Sequence, residues 1–569
     1  MRYLALAVDY DGTAASRDEL AESARRAIER LRVSGRRVVL VTGRRVEELL
    51  KVCPAIALFD LVVAENGAVV YDPARREEVV LGAPVPKSLV ERLRERSVAP
   101  LEMGKVLVAT HDPHGAVVFD VIRELGLELQ VIVNRSSIMV LPPGINKATG
   151  LKVALHKLGL SQHEAVAIGD AENDHSFLRY CECGVAVANA VPSIKAAAEL
   201  VTRGANGDGV AELIDELIAD DLARLEGKIE RHLVLLGERS DGTEVRIAPY
   251  GRNLLIAGPS GSGKSTLTAG LVERLIEKGY QVCIIDPEGD YSALRAVTSL
   301  GNPQRAPSVN EVLSILEEPA VNLSINMLGL PLEDRPLYFS QLIPGLLALR
   351  VRTGRPHWIV LDEAHHMLPQ TWGHAAATVP AKLGETILVT VHPDHVAPAV
   401  LAPIDVVVAI GQSPEHTLGS YARAAGHALT WPADVRCEPD KVVVWFVRDD
   451  EPPFSMRPQP GRAERIRHLR KYAEGNMRYR SFFFRGPDDR HNLRAQNLAV
   501  FCQIAEGIDE PTWMFHLRRS DYSRWFRNAV KDSHLADEME RIERRDDLSP
   551  ELARHLVREL VAARYTLPE

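Results

Sequence analysis

The stretch GPSGSGKST, residues 258–266, constrains the fold of this chain more than any other segment. It follows the apolar run NLLIAG and precedes TLTAGLVERLIEKG, whose apolar spacing is helical. Glycines at these positions let a loop turn tightly between a strand and a helix, with its backbone N–H groups pointing inward. The sequence therefore predicts a strand–loop–helix unit of an α/β domain, with a phosphate-binding loop at the turn.

The residues of this loop and of a later strand end are those that ATP binding and hydrolysis require. We expect the loop amides and Lys264 to hold the β- and γ-phosphates and the Ser265 hydroxyl to bind Mg²⁺. The strand HWIVLDEA ends in Asp362 and Glu363, which suit a metal contact and the base that orients water. Hydrolysis of ATP is thus predicted, and nucleotide binding without turnover is the alternative. The predicted loop ligands are Gly258, Ser260, Gly261, Gly263, Lys264, Ser265 and Thr266.

A chain of 569 residues is too long for one hydrophobic core, so several domains are expected. Residues 1–82 and 144–220 alternate β-rich and helical runs, which predicts a doubly wound, Rossmann-like parallel sheet. The spacing changes over residues 83–143, which indicates an inserted α+β cap. A second α/β block is predicted for residues 221–455, and a basic, mainly helical part for residues 456–569.

Residues suited to phosphoryl transfer follow the predicted strands of the first domain in order. DYDGT places Asp9 and Asp11 at the carboxyl end of the strand YLALAV. Because their side chains point the same way, one carboxylate can attack phosphorus while the other handles the proton of the leaving group. Later segments supply phosphate ligands and metal carboxylates. These residues are Thr42 in VTGR, Lys147 in GINKATGL, and Asp170 and Asp174 in AIGDAENDHSF.

This ordered set resembles the haloacid dehalogenase-like (HAD) phosphatases, in the branch that carries an α/β cap, over residues 1 to about 217. The resemblance implies that Asp9 is a nucleophile that forms an aspartyl-phosphate and that Asp11 is the general acid/base. It also implies that Thr42 and Lys147 bind the phosphate. The implied Mg²⁺ site draws on Asp9, Asp11, Asp170 and Asp174. Asn66 and Gly67 in AENGA match this branch too, although a plain turn explains them equally well, and no cap motif indicates the substrate.

IIDPEGDY, residues 284–291, resembles a signature of HerA/FtsK-type ATPases, which are hexameric DNA pumps. The resemblance implies a homo-oligomeric ring whose ATP sites receive an arginine from a neighbouring subunit, with Arg423 and Arg436 among the candidates. His392 follows the strand TILVTV, where the family commonly has a polar sensor of the γ-phosphate, and an ordinary strand-end histidine is the alternative. The short lead-in HLVLLGERSDGTEVRIAPYGR predicts a hairpin in place of the β-barrel of many HerA proteins.

The carboxyl-terminal part has one basic segment and a small helical domain. Residues 456–485 contain nine Lys or Arg against two acids, together with Tyr472 and Tyr479. This composition suits a patch for phosphate backbone and stacked bases, and a solvated charged helix is the alternative. In the helical remainder His516, Asp521 and Trp525 stand out, and we expect them to be structural because aromatic residues at this spacing usually pack a core.

Composition limits the remaining function classes. The net charge of −9 argues against a globally basic nucleic-acid binder, so any DNA contact must be local. No window approaches the roughly 18 apolar residues of a membrane span, so we expect a cytoplasmic protein without a membrane partner. The six cysteines are scattered, and the close pair Cys181/Cys183 has no second pair to complete a zinc site.

The sequence therefore predicts an Mg²⁺-dependent phosphatase of a phosphorylated small molecule, fused to an ATPase. In a first hypothesis the ATPase is a DNA motor and the phosphatase acts on DNA or DNA-derived phosphates. In a second, a nucleotide-binding scaffold regulates a metabolic phosphatase for a sugar phosphate or phosphoglycolate. In a third, both sites are sensors with little turnover. The DPEGDY signature favours the first hypothesis, whereas the negative charge and the short lead-in weaken it.

Overall fold

The computed structural model divides the chain into two compact units. Structure is described for all residues except 135, 226, 293, 371–383, 433, 434, 436, 437, 439, 450, 462–476, 478, 479, 531, 546 and 565–569. The first unit comprises Met1–Lys264, Arg274–Pro287 and Ala296–Pro458, and the second comprises Ser265–Glu273, Glu288–Arg295 and Gln459–Glu569. Every helix of the described residues is too short or too polar to cross a membrane.

The amino-terminal part of the first unit contains a mostly parallel sheet and a smaller inserted sheet. Its strands are β1 (Ala5–Asp9), β2 (Ala15–Ser16), β3 (Glu19–Leu20), β4 (Arg37–Val41), β5 (Leu61–Ala64), β6 (Val69–Asp72), β7 (Glu77–Val80), β8 (Glu102–Met103), β9 (Val108–His111), β10 (Gln130–Asn134), β11 (Ser137–Leu141), β12 (Ala165–Gly169), β13 (Cys183–Ala186) and β14 (Leu200–Val201). Its helices are α1 (Glu22–Val33), α2 (Val46–Val52), α3 (Lys87–Glu95), α4 (Gly115–Glu124), α5 (Lys147–Lys157), α6 (His175–Tyr180), α7 (Pro192–Ala197) and α8 (Asn206–Asp220).

The main sheet has the strand order β14-β13-β12-β1-β4-β5-β6-β7. Strand β1 lies in its centre, pairs in parallel with β4 and β12, and is buried along its whole length. At one end of this sheet the pairs β5–β6 and β6–β7 are antiparallel. The carboxyl ends of β1, β4 and β12 therefore share one edge of the sheet, as the predicted Rossmann-like fold requires.

The inserted segment folds around its own core. Its antiparallel sheet has the order β10-β11-β9-β8 and is accompanied by α3 and α4. Leu89, Leu93, Val118, Val121 and Ile138 belong to a hydrophobic cluster separate from that of the main sheet. The fold class predicted for this part, a parallel core with an α+β cap, is confirmed.

The charged segment that follows β14 forms a shorter helix than its sequence predicts. The sequence predicts one helix from about residue 211 to 232, but α8 ends at Asp220. Asp221 adopts a left-handed conformation with φ of 60°, and its carboxylate accepts hydrogen bonds from the Arg2 amide and the Arg36 guanidinium, each 2.8 Å long. These bonds hold the chain in a turn at the point where the helix would otherwise continue.

The second sheet of the first unit has eleven strands. The strands are β15 (Val234–Arg239), β16 (Glu244–Ile247), β17 (Leu254–Ala257), β18 (Val282–Asp286), β19 (Thr298–Leu300), β20 (Leu323–Asn326), β21 (Trp358–Leu361), β22 (Thr386–Thr390), β23 (Val406–Ala409), β24 (Val442–Phe446) and β25 (Phe454–Pro458). The helices in the same stretch of sequence are α9 (Lys264–Glu277), whose residues Ser265–Glu273 belong to the second unit, α10 (Val309–Leu316), α11 (Arg335–Thr353), α12 (Ala364–Met367), α13 (Pro398–Leu401) and α14 (Pro414–Ala425).

The strand order of this sheet is β16-β15-β25-β24-β23-β17-β22-β21-β18-β20-β19. The strands from β23 to β19 are parallel, and the other four are antiparallel. The predicted hairpin is confirmed as β15 and β16. Strand β25 extends the sheet past residue 455, where the sequence places the end of this block.

The two sheets of the first unit join through residues that stand directly before their strands. His163 and Glu164 precede β12, Tyr280 and Gln281 precede β18, and His357 precedes β21. The rings of His163 and Tyr280 stack with centroids 3.8 Å apart. His357 Nδ1 accepts a 2.7 Å bond from the Gln281 amide, so Nε2 carries the proton that is donated to Glu164. We call this set of contacts the joint.

Charged side chains add further hydrogen bonds to the joint. The fully buried Arg355 donates a 2.7 Å bond from Nη2 to the Gly159 carbonyl. Glu182, which precedes β13, accepts 2.7 Å hydrogen bonds from Arg2 and from His163. Because buried charges are costly unless they are paired, this network fixes one arrangement of the two sheets.

The carboxyl-terminal part of the second unit is mainly helical, as predicted. Its elements are β26 (Phe482–Phe484), β27 (Leu493–Ala495), α15 (Leu498–Gly507), α16 (Glu510–Arg518), α17 (Asp521–Trp525), a π-helical segment Phe526–Val530, α18 (Ser533–Glu543) and α19 (Pro550–Arg564). An aromatic core that includes Phe484, Phe501, Trp513 and Tyr522 holds them together.

Candidate active sites

Three buried carboxylates meet at the carboxyl edge of the first sheet. Asp9 ends β1, Asp170 follows β12, and Asp174 lies in the next turn. Each has an oxygen within 4.8 Å of an oxygen of the other two. A buried set of oxygen ligands with this much negative charge fits a magnesium ion. The structure thus brings together three of the four carboxylates predicted for the metal site.

Lys147 connects two of these carboxylates. Its Nζ lies 2.6 Å from Asp9 Oδ1 and 2.5 Å from Asp174 Oδ1. Burial lowers the pKa of this lysine, but Asp174 and Asp9 outweigh burial and raise the pKa above its ordinary value. Lys147 begins α5, and Asn146 caps that helix by accepting hydrogen bonds from two of its amides. The helix cap therefore places a charged ammonium group among the carboxylates.

Backbone groups fix the position of Asp174. Its Oδ2 accepts hydrogen bonds from the amides of Asp170 and Ala171 at 2.8 and 2.9 Å. A Cβ atom at Gly169 would lie 2.6 Å from the same oxygen, so only glycine fits there. Thr13, which the sequence did not single out, donates a 3.1 Å hydrogen bond to Asp170 Oδ1.

A tight turn under the site supports both predicted phosphate ligands. The Asn66 amide donates a 3.0 Å bond to the Thr42 carbonyl, and Asn66 has a φ of 55°. Gly67 has a φ of 106°, and a Cβ atom there would lie 1.8 Å from the Asn146 carbonyl oxygen. The missing side chain lets the start of α5, with Lys147, approach this turn. Asn66 and Gly67 thus position the site, a role that the sequence left open.

Asp11 lies apart from the three carboxylates. Its oxygens accept hydrogen bonds of 2.7 to 3.0 Å from Arg44, which also pairs with Asp18 and Glu48. Arg44 was not identified from the sequence, although it is the last residue of the predicted phosphate-binding segment VTGR. Its guanidinium holds the predicted general acid/base in one orientation.

Glu65 attaches the cap to the core. Its carboxylate accepts hydrogen bonds from the amides of Lys105, Val106 and Leu107 at 2.8, 3.0 and 3.3 Å. A Cβ atom at Gly104 would lie 2.4 Å from Glu65 Oε2. Sequence reasoning missed this residue because a glutamate beside a turn carries no distinctive pattern.

The loop after β17 has the conformation expected of a phosphate-binding turn. Gly258 and Gly263 have φ values of 156° and 100°, and a Cβ atom at Gly258 would lie 2.1 Å from the Ile410 carbonyl oxygen. Lys264 Nζ donates to the carbonyls of Gly258 and Pro259 at 2.9 and 3.0 Å, so its ammonium group lies within the loop. Gly261 also has a positive φ, whereas Ser260 lies in the exposed part of the turn, and Ser265 and Thr266 follow Lys264 in α9.

Three adjacent parallel strands bring the other predicted nucleotide-site residues to one edge. Asp362 follows β21, His392 follows β22, and the loop follows β17, with β22 in the middle. Asp362 is buried, and its Oδ1 accepts a 3.0 Å hydrogen bond from the Glu363 amide. Glu363 has a φ of 46°, which is unusual for a residue with a side chain. This edge can therefore hold a nucleotide and its metal.

Several other predicted residues lie elsewhere or outside the description. Arg423, one arginine candidate, donates to Ser420 Oγ within α14, and Arg436 lies outside the described residues. Most of the basic segment, including Tyr472 and Tyr479, also lies outside them. The three residues that stand out near the carboxyl end are engaged in structural bonds: His516 pairs with Asp521 at 2.8 Å, and Trp525 donates to the Arg480 carbonyl at 2.8 Å.

Two parts of the chain match known protein families. Residues 6–98 and 104–214 match the family model of haloacid dehalogenase-like hydrolases, and residues 236–341 match the central domain of the helicase HerA. The chain belongs to the haloacid dehalogenase-like hydrolases. More particularly, it is a HAD-type phosphatase fused to a HerA-like domain.

Archaeal relatives and a solved structure match the amino-terminal part. A protein named phosphoglycolate phosphatase 2 from Saccharolobus solfataricus is 32% identical over 193 residues, covering 33% of this chain and 79% of that protein. A phosphoglycolate phosphatase from Archaeoglobus fulgidus is 32% identical over 223 residues, covering 37% and 96%. The crystal structure of a haloacid dehalogenase-like hydrolase from Bacteroides thetaiotaomicron is 23% identical with a TM-score of 0.34, covering 38% of this chain and all of that one.

Proposed function

We propose that the amino-terminal site hydrolyses a small phosphomonoester of the phosphoglycolate type, and that the HerA-like domain binds and hydrolyses ATP. The observation that carries the first part is the position of Lys147 between Asp9 and Asp174. The names of the archaeal relatives support a metabolic substrate, so we favour the hypothesis of a metabolic phosphatase with a regulatory nucleotide-binding partner.

In the proposed reaction, Asp9 attacks phosphorus and forms an aspartyl-phosphate, which water then hydrolyses. Asp11 protonates the leaving oxygen and afterwards takes a proton from the attacking water. Thr42 and Lys147 bind phosphate oxygens. Asp9 and Asp170 would hold Mg²⁺, supported by Asp174, and the ion would neutralise charge on the phosphate.

A comparison of substrates tests this proposal. Wild-type protein with Mg²⁺ should hydrolyse an aryl phosphate and, more efficiently, phosphoglycolate. The variant D9N should lose this activity by several orders of magnitude, because no nucleophile remains, while its ATP hydrolysis persists. Phosphatase activity retained in D9N would refute the assignment of the nucleophile. A preference for sugar phosphates over phosphoglycolate would change the substrate class only.

A DNA motor remains a second candidate function for the HerA-like domain, because residues 236–341 match the central domain of a helicase. A motor of this type forms a ring in which a neighbouring subunit completes each site. Two measurements distinguish a DNA motor from a regulatory domain: ATP turnover with and without duplex DNA at low salt, and the mass of the protein by light scattering. A ring stimulated by DNA would favour the motor, and a monomer indifferent to DNA would favour the regulatory role.

A further inference from the structure

We propose that His392, Asp394 and His395 form a binding site for a late first-row divalent metal such as Zn²⁺. One ligand atom of each residue lies within 4.8 Å of those of the other two. The rings of His392 and His395 stack with centroids 4.7 Å apart. In a tetrahedral shell with bonds of about 2.0–2.1 Å, ligand atoms lie about 3.3 Å apart, so small side-chain rotations would close the site.

The backbone under these side chains is held in place. The Thr390 hydroxyl is hydrogen-bonded to both the amide and the carbonyl of His392, at 3.2 and 3.3 Å. The His395 amide donates to the His392 carbonyl at 3.1 Å, and its own carbonyl accepts a 2.9 Å bond from Gln370. The two imidazoles therefore project from a fixed turn, which lowers the ordering cost of binding a metal.

The three side chains are available as ligands. All three residues are exposed, and among the described residues no hydrogen bond or ion pair engages their imidazole or carboxylate groups. The buried group of His163, Glu182 and His232 differs, because Arg2, Tyr280 and backbone carbonyls already occupy its polar atoms. The exposed group of His392, Asp394 and His395 is therefore the better candidate for binding a metal ion.

Ligand chemistry separates this site from the magnesium sites. Imidazole nitrogen suits Zn²⁺, Co²⁺ and Ni²⁺, whereas Mg²⁺ prefers oxygen. Three protein ligands leave a fourth position for water or a phosphate oxygen. Because β22 lies between β17 and β21, the metal would lie at the same edge of the sheet as the nucleotide loop. The proposal concerns metal binding and does not depend on ATP hydrolysis.

The test uses full-length protein without an affinity tag, in excess Mg²⁺ to fill the oxygen sites. Zn²⁺ binding is measured by calorimetry, and Co²⁺ binding by the visible absorption of a four-coordinate ion. The double variant H392A/H395A and the single variant D394N remove ligands. H416A is the matched control, since His416 is exposed in α14 of the same sheet domain.

Wild type and H416A should bind both ions, with equal affinity. H392A/H395A should lose the Co²⁺ absorption, and D394N should bind Zn²⁺ at least about tenfold more weakly, since even outer partners of a metal site contribute this much. Circular dichroism checks that the variants fold. Wild-type affinity in D394N, unchanged Co²⁺ spectra in the double variant, or no Zn²⁺ binding by wild type in excess Mg²⁺ would each overturn the proposal.

Discussion

His357 Nε2 and Glu164 Oε1 are joined by a 2.6 Å hydrogen bond in which both side chains are buried. The two residues stand directly before strands of different sheets, so this bond links the phosphatase core directly to the HerA-like part of the chain. Burial lowers the pKa of His357 and outweighs the opposite effect of Glu164, which favours a neutral imidazole that donates from Nε2. The joint therefore contains a buried hydrogen bond between the two sheets.

Removing the acceptor of this bond should destabilise the first unit. In E164A the buried N–H of His357 loses its partner, which costs about 1–3 kcal/mol. E164Q keeps one oxygen that can accept from His357, but its amide nitrogen would face the Ser161 amide, which donates to the other Glu164 oxygen, so its midpoint should lie between those of E164A and wild type. Thermal unfolding of the two variants checks this prediction. Equal midpoints for E164A and wild type would show that the bond does not contribute to stability.

Acid should weaken the contacts around Glu182 in the joint, where His232 Nε2 lies 3.0 Å from the Glu182 carbonyl oxygen. Burial lowers the pKa of His232 from its ordinary 6.5 to about 4, although Glu182 opposes the shift. Between these values the unfolded chain binds the proton and the folded chain does not, so protonation favours unfolding. The contribution of His232 to stability is therefore complete above about pH 6.5 and is lost as the pH falls toward 4.

Chemical unfolding at several pH values tests this effect. The wild-type free energy of unfolding should fall between pH 6.5 and pH 4, and H232Q should show a smaller fall. Y250F removes a hydroxyl that donates to the His163 carbonyl in the joint, and this phenol does not titrate in the range, because its ordinary pKa of 10.0 lies far above it and burial raises the pKa further. Y250F should keep the wild-type slope. An equal slope in H232Q would assign the acid effect to other groups.

Arg44 should matter for turnover more than for substrate binding. In R44A the Asp11 carboxylate loses the guanidinium that orients it, so we expect kcat for an aryl phosphate to fall by about 10²-fold, within the usual contribution of general acid–base catalysis. R44K keeps the positive charge but loses the bidentate contact with Asp11, so its kcat should lie between those of R44A and wild type. A change confined to KM would indicate instead that Arg44 binds the substrate.

Gly67 should tolerate no side chain. In G67A the new Cβ meets the Asn146 carbonyl and the backbone is strained, so we expect a loss of at least about 1–3 kcal/mol and of phosphatase activity. Gly35 has a similar φ of 91° with open space around it, so G35A carries the strain without the clash. G35A should remain an active phosphatase. Equal activity in both variants would contradict the proposed role of the close approach at Gly67.

Substitutions at the candidate nucleotide site should separate ATP binding from ATP hydrolysis. K264A should abolish productive ATP binding, because the ammonium group within the loop is removed, whereas E363Q should bind ATP without hydrolysing it. Binding of a fluorescent ATP analogue and release of phosphate measure the two steps. Both variants should retain aryl phosphatase activity, which serves as the control for folding. ATP hydrolysis at the wild-type rate by either variant would contradict the role given to that residue.

The sequence predicted those parts of the sites that depend on local order along the chain. Asp9, Asp170 and Lys147 could be identified because a strand end or a helix start places each of them, and their residue types fit one reaction. Arg44 and Glu65 could not, because their roles depend on partners that only folding brings close. The same holds for His357 and Glu164, which lie 193 positions apart. The end of α8 at Asp220 was likewise set by distant arginine contacts rather than by helix propensity.

The joint and the candidate sites lie at opposite ends of the strands. It is formed at the amino ends of strands in both sheets, while Asp9, Asp170, Asp362 and the nucleotide loop stand at the carboxyl ends. In each sheet the candidate site therefore lies at the strand ends opposite those that form the joint. Strands β12 and β21 run from the joint to Asp170 and Asp362, so they connect the two candidate sites through one buried contact.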